Sequence, residues 1–180
     1  MSDWKRYIEK TKNRGVHQFL KMAMDKYAPE SGTFFDVGAG AGNEMDYAKE
    51  LGFEVAGVDL NPSRPDIVKA DMAEFDIPYS DVICSINAIS FSPEAIKVLK
   101  RIVGRTRKLA IISVFGEEDD WVKGGGCVSF DKDDIRKVFY GFEVVLLNEI
   151  KKCGPDVSGR DKNWHIIQFV AMNMQDNPSS

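Results

Sequence analysis

The sequence has only two histidines and three cysteines, and Cys84, Cys127 and Cys153 share no CxxC spacing. Too few soft ligands remain for a Cys/His zinc site, and the odd count gives no disulfide framework. No residue is assigned to a metal. No apolar run approaches the roughly 20 residues that a membrane span needs. The opening MSDWKRYIEKTKNR is polar and lacks the apolar stretch of a signal peptide. The expectation is a cytoplasmic protein without a membrane partner. A basic surplus is also missing. The net charge is −4 and the pI about 5.3, which argues against nonspecific nucleic-acid binding. The one basic group, Lys97, Lys100, Arg101, Arg105, Arg107 and Lys108, reads as the solvated face of a helix and its following loop.

What is present fits a globular domain: 43% hydrophobic and 29% charged residues over 180 positions suffice for one substantial core. The expected organisation is a single domain over 1–174, with 1–28 as an N-terminal helical lid segment. The polar tail at 175–180 is expected to fray. Short apolar, β-branched runs at 33–37, 55–59, 66–69, 81–86, 108–114, 143–149 and 165–171 predict seven strands. Helical spacing predicts helices at 15–27, 42–51, 93–103 and 131–140. In the third, Ile96, Leu99, Ile102 and Val103 are expected inward; in the fourth, Asp131 is the expected cap. Alternating strands and helices mean an α/β fold, a Rossmann-like doubly wound and mostly parallel sheet. The last two strands are separated only by KKCGPDVSGRDKN, which reads as a loop joining an antiparallel pair.

The stretch FFDVGAGAGNE, residues 34–44, sets Gly38, Gly40 and Gly42 directly behind the first strand. In wound sheets the ligand crevice lies beyond the carboxyl ends of the strands, and glycines let backbone approach the ligand. Asp59 ends the second strand, about 20 residues after the loop, where a carboxylate accepts both hydroxyls of a ribose. Asp71 follows the third strand, placed to reach an adenine edge. Each acid also has a plain structural reading, Asp59 as a turn residue before Asn61-Pro62 and Asp71 as a helix cap. The glycine spacing separates two ligand classes. A dinucleotide fingerprint needs glycine where this chain has Asn43. Asp36 before the loop and Glu44 after it oppose a pyrophosphate and suit a cation. S-adenosylmethionine, a sulfonium without phosphate, is such a ligand.

DVGAGAGNE followed by VAGVDLNP resembles the cofactor motifs of class I S-adenosylmethionine-dependent methyltransferases. WKRYIEKTKNR, KADMAEF, CSINAIS, FGEEDDW and NWHIIQFVAMN extend the resemblance towards small tellurite-resistance-like bacterial methyltransferases. It implies a seven-stranded sheet whose last strand is antiparallel. It further implies that Gly38, Ala39, Gly40 and Gly42, with Asp36 behind them, surround the methionine and ribose portion. Asp59 and Leu60 would hold the ribose, and Asp71 and Met72 would meet the adenine. Asn87 would touch the amino acid end, and Arg14 would pair with its carboxylate. Arg14 also reads as a surface arginine. Trp4 and Tyr7 read either as a lid over the cofactor or as anchors of a terminal helix.

Methyl transfer from a sulfonium is an in-line displacement, in which the protein chiefly positions the acceptor and excludes water. Glu117, Asp119, Asp120, Trp121, Trp164 and His165 are candidates for acceptor contact, and no catalytic residue is assigned. EEDD also reads as a solvated loop. SINAIS stands where methyltransferases of DNA amines carry an Asn-Pro-Pro-Tyr type motif, so the expected acceptor is a small molecule: a thiol, amine, carboxylate or metalloid. The assembly is expected to be a monomer or homodimer. Two other readings are a noncatalytic S-adenosylmethionine-binding protein and a nicotinamide-dependent oxidoreductase.

Overall fold

Each of the seven apolar runs forms a strand: β1 (Thr33–Val37), β2 (Glu54–Asp59), β3 (Val68–Lys69), β4 (Ser80–Ile86), β5 (Thr106–Phe115), β6 (Phe142–Pro155) and β7 (Asp161–Asn173). The computed structural model describes residue 7 and residues 9–174; Trp4 and the tail at 175–180 lie outside the described residues. The strands form one sheet in the order β3-β2-β1-β4-β5-β7-β6. Only β7 runs against the rest, inserted between β5 and β6. The strand order reverses between β1 and β4, which pair in parallel. That reversal opens the crevice of a wound sheet.

Helices cover both faces. On one, α1 (Gln18–Tyr27) and α2 (Asn43–Glu50) bring Phe19, Leu20, Met45 and Ala48 onto Phe34, Cys84 and Ile111. On the other, α3 (Ala95–Arg105) and α5 (Lys132–Val138) bring Leu99, Ile102 and Ile135, with Phe139 behind, onto Phe35, Ile112 and Phe169. Each fully buried large side chain stabilises by about 1.5–3 kcal/mol. A short α4 (Asp120–Lys123) follows β5. Asp131 caps α5 as expected: its Oδ1 accepts from Asp134 N at 2.7 Å, and Asp134 Oδ2 accepts from Asp131 N at 3.1 Å. This reciprocal pair satisfies two donors that a helix start leaves open.

Three expectations change. In α3 the inward stripe is Ala95, Val98, Leu99 and Ile102, and Ile96 is 40% exposed. The segment 151–163 is not a long loop: β6 and β7 pair from Phe142↔Asn173 to Pro155↔Asp161, leaving a turn at 156–160. Pro155 is tolerated because β6 is the sheet edge, where no neighbour needs its N–H. The basic group is more than a solvated face. Arg101 Nη1 donates to Ala73 O at 2.8 Å and Phe75 O at 2.7 Å, and Arg105 pairs with Asp76 at 2.7 Å. These bonds fix the turn that follows Asp71.

Candidate functional site

The glycine loop crosses from β1 to α2 over the end of β2. Gly38 N and Ala39 N both donate to Val58 O, at 2.8 and 3.1 Å. Gly40 has φ +52, and a Cβ there would meet nothing within 4 Å, so its open side faces the cleft. Gly38 has φ +84, and a Cβ would collide with that of Ala88. These left-handed conformations favour glycine. Gly42 serves the helix instead of the cleft. It caps α2 with φ +78, and a Cβ would meet Arg64 Nη1 at 2.8 Å.

Asp59 organises the loop from below. Its Oδ2 accepts from Gly40 N at 2.9 Å and its Oδ1 from Asn61 N at 2.7 Å. A carboxylate has about four acceptor positions, so one remains on each oxygen. The residue is only 3% exposed, so the expectation that solvent stands ready to replace its contacts is corrected. Asp59, Leu60, Asp71, Met72, Gly38 and Phe91 line one half of a cleft, of about 340 Å³. Asp71 Oδ1 accepts from Ala73 N at 2.9 Å, capping its turn while facing that space.

The second half begins where the first ends, sharing Gly38, Ala88 and Phe91. Its volume is about 40 Å³, and Tyr7, Thr11, Arg14, Gly40, Glu44 and Asn87 are among its lining. That is room for roughly a few water molecules. The N-terminal segment roofs it. Asn43 Nδ2 donates to Thr11 O at 2.8 Å, Arg14 Nη2 to Glu44 Oε1 at 2.7 Å, and His17 N to the same oxygen at 3.2 Å. Asn87 adopts φ +54. Ser113 holds it there, donating to Asn87 Oδ1 at 2.7 Å and accepting from Asn87 N at 2.9 Å.

Acids dominate the electrostatics. Asp36 lies beneath the loop, 2% exposed, with Cys84 Sγ donating to Oδ1 at 3.3 Å and Oδ2 without a partner. Burial, reinforced by the nearby Glu44 charge, holds its carboxyl well above the usual range. His17 goes the other way: burial, with the charges of Arg14 and Lys152, pulls its pKa to about 4.

The structure thus brings Arg14, Gly38, Ala39, Gly40, Asp59, Leu60, Asp71, Met72 and Asn87 to one cleft. Asp36 and Gly42 support it without lining it. Thr11, Phe91 and Ser113 escaped sequence reasoning; only Ser113, at the carboxyl end of a parallel strand, carried a positional signal.

The acceptor candidates separate. Trp164 and Trp121 rings lie 5.1 Å apart, and Phe91 is 5.6 Å from Trp121, an aromatic wall running from the cleft edge to β7. Lys162 Nζ lies under it, 3.7 Å from the Trp121 ring and 3.9 Å from the Trp164 ring, bonded to Asp119. Asp119, fully buried, also accepts from Trp121 N and His165 N, so it is a structural ion rather than a solvated loop residue. His165 faces the opposite side of β7. Its Nδ1 accepts from Glu118 N at 3.1 Å and its Nε2 bonds Glu149 at 2.9 Å. Glu117 and His165 border a different cavity of about 430 Å³, where Glu149 is already paired with Lys132 and His165.

No family model and no curated protein sequence matches the chain. Solved structures do. The chain is similar to TehB from Haemophilus influenzae at 17% identity and a TM-score of 0.72, covering 88% of this chain and 62% of that one. The fold is the class I methyltransferase fold. Magnesium protoporphyrin IX methyltransferase from Synechocystis PCC 6803, crystallised with S-adenosylhomocysteine, shares this fold at 14% identity and TM-score 0.64, covering 94% and 86% of the two chains. So does 1,6-didemethyltoxoflavin-N1-methyltransferase from Burkholderia thailandensis, at 18% identity and TM-score 0.61, covering 87% and 78%. The chain therefore spans less than two thirds of the TehB chain. Among the described residues no helix is long and apolar enough to cross a membrane.

Proposed function

We propose that the chain is an S-adenosylmethionine-dependent methyltransferase acting on a small-molecule acceptor. The observation that carries this reading is the two-part cleft at the strand reversal. A polar acid with spare acceptor positions, Asp59, serves one half, and the oppositely charged Arg14 and Glu44 serve the other. The fit of the residues is chemical. Gly40 leaves open the space that a Cβ would fill, and the acids Asp36, Glu44 and Asp59 favour a cation. The first turn of α2 carries Glu44 and Asp46, which oppose a pyrophosphate at that helix start. This disfavours a nicotinamide dinucleotide.

In this reading Asp59 holds the ribose hydroxyls, the Asp71–Met72 segment meets the adenine, and Arg14 and Asn87 orient the amino acid end. The cofactor supplies an activated methyl group. Tyr7, Thr11 and Arg14 belong to an N-terminal lid that keeps water from the sulfonium. Phe91 and Trp121 offer the acceptor an apolar, aromatic flank. No side chain is needed as a base for an acceptor that arrives with a free lone pair, such as an amine or thiolate. A methyl-release screen across thiols, amines, carboxylates and metalloids tests the proposal. Turnover with one class supports it; no release with any, alongside tight cofactor binding, favours a noncatalytic binder.

A further inference from the structure

The Glu44 carboxylate is a buried charge inside a ligand cleft. Its side chain is 8% exposed. Oε1 takes both the Arg14 and the His17 N–H bonds, and Oε2 makes no hydrogen bond among the described residues. Glu44 lines the small half of the cleft together with Arg14, Gly38 and Asn87. Asp36, with its unpartnered Oδ2, lies beneath. A carboxylate so enclosed must keep a cation beside it. Arg14 is that cation here, and its own side chain is 38% exposed, so it can turn to another anion or to water at little cost.

We propose that Glu44 makes the cleft selective for ligands with an α-amino acid tail, because the Arg14–Glu44 pair stands where both charges of such a tail bind. This rests on the methyl-donor reading and extends it. On binding, the ligand ammonium replaces Arg14 at Glu44, and Arg14 takes the ligand carboxylate, for which its planar fork is suited. The small half, with about 40 Å³ free, opens only when this exchange is made. A tail bearing an ammonium alone still satisfies Glu44 and releases Arg14 to solvent. A tail bearing a carboxylate alone draws Arg14 away and leaves Glu44 buried without a cation, facing a second anion. Such a ligand is worse than one with no tail.

Four nucleosides should therefore rank, tightest first, as S-adenosylhomocysteine, S-adenosyl-3-thiopropylamine (no carboxylate), 5′-methylthioadenosine (no tail), and the deamino analogue of S-adenosylhomocysteine (no ammonium). Calorimetric titration of each into the parent and into Glu44→Gln tests the ranking. The glutamine keeps a carbonyl for Arg14 and for His17 N–H and removes the charge. In the variant the first two ligands should weaken by about tenfold or more, the scale of a lost charge-assisted bond. Methylthioadenosine should be unchanged, and the deamino analogue should tighten. Equal weakening of all four would make Glu44 a merely structural partner of Arg14 and overturn the proposal. So would a deamino analogue that binds the parent as tightly as S-adenosylhomocysteine. If Glu44→Gln fails to fold, the ranking in the parent alone decides. If neither S-adenosylhomocysteine nor methylthioadenosine binds the parent, the methyl-donor reading fails, and this proposal with it. Tight methylthioadenosine binding with indifference to the tail overturns this proposal only.

Discussion

Asp59→Asn is the substitution that separates the two roles built into the β2 terminus. Alanine is the wrong probe, because at 3% exposure it would strip Gly40 N and Asn61 N of their acceptor with little access for water. Asparagine is isosteric and keeps one oxygen, yet turns an NH2 group towards one of the two backbone N–H donors. One hydrogen bond to a charged acceptor is lost, which costs about 1.5–3 kcal/mol. In a chain of this size each kcal/mol shifts the melting temperature by about 2–4 °C, so the ligand-free variant should melt about 3–12 °C lower. The amide also removes one acceptor from a bound ribose. Affinity for S-adenosylhomocysteine should then fall by about 10- to 150-fold, the equivalent of the same energy. Differential scanning fluorimetry with a ligand series reads both, since the ligand-free melt reports the loop and the ligand-induced rise reports the site. A variant that melts like the parent and binds as tightly would leave Asp59 with neither role.

The two cleft glycines should respond differently to alanine. Gly40→Ala, left-handed but with open space beyond it, should cost about 1–2 kcal/mol in urea unfolding and lose most ligand affinity. Gly38→Ala, which strikes Ala88, should cost more than that and lose binding as well; equal stabilities would contradict the geometry. His17 sets a pH dependence. With a folded pKa pulled to about 4, the unfolded chain takes up a proton below about 6.5 that the folded chain refuses. Stability is therefore full above about 6.5 and falls as pH drops towards 4, by up to about 3 kcal/mol. His17→Asn, which keeps an acceptor at the α1 cap, should flatten the melting temperature between about pH 6.5 and 4; an unchanged slope would assign it to other groups. Lys162→Met leaves the fully buried Asp119 carboxylate with backbone donors only. It should cost about 3–5 kcal/mol, and adding Asp119→Asn should recover part of that; a loss under about 1 kcal/mol would mean the pair is dispensable.

What could be read from the sequence was local in origin. Glycine at 38 and 40 reports backbone conformations that other residues avoid, and that constraint is written at the position itself. Asp59 and Asp71 were legible because the parallel sheet repeats its geometry at each strand end. The misreadings came where spacing gave two answers or where partners lie far apart. In α3 the set 96, 99, 102, 103 and the set 95, 98, 99, 102 both have helical spacing; the second packs because Ala95 and Val98 are small enough to sit near the sheet. In KKCGPDVSGRDKN, Gly154 and Pro155 signal a turn, yet pairing with β7 carries the strand through them. The Lys162–Asp119 pair has no local signature at a separation of 43 residues. Asp119 therefore looked like one of four acids in a solvated loop. The same holds for Arg14 and Glu44, 30 apart: the position of Arg14 came from resemblance, and its present partner from the fold.

The central claim is that the cleft between β1 and β4 takes a nucleoside with a zwitterionic tail and no phosphate. Isothermal titration of the full chain with S-adenosylhomocysteine and, separately, with NAD tests this most directly. The expected result is saturable one-to-one binding of S-adenosylhomocysteine, weakened on Asp59→Asn and Glu44→Gln, and no measurable heat of binding with NAD. Saturable NAD binding in the same concentration range, or no binding of S-adenosylhomocysteine, would contradict it.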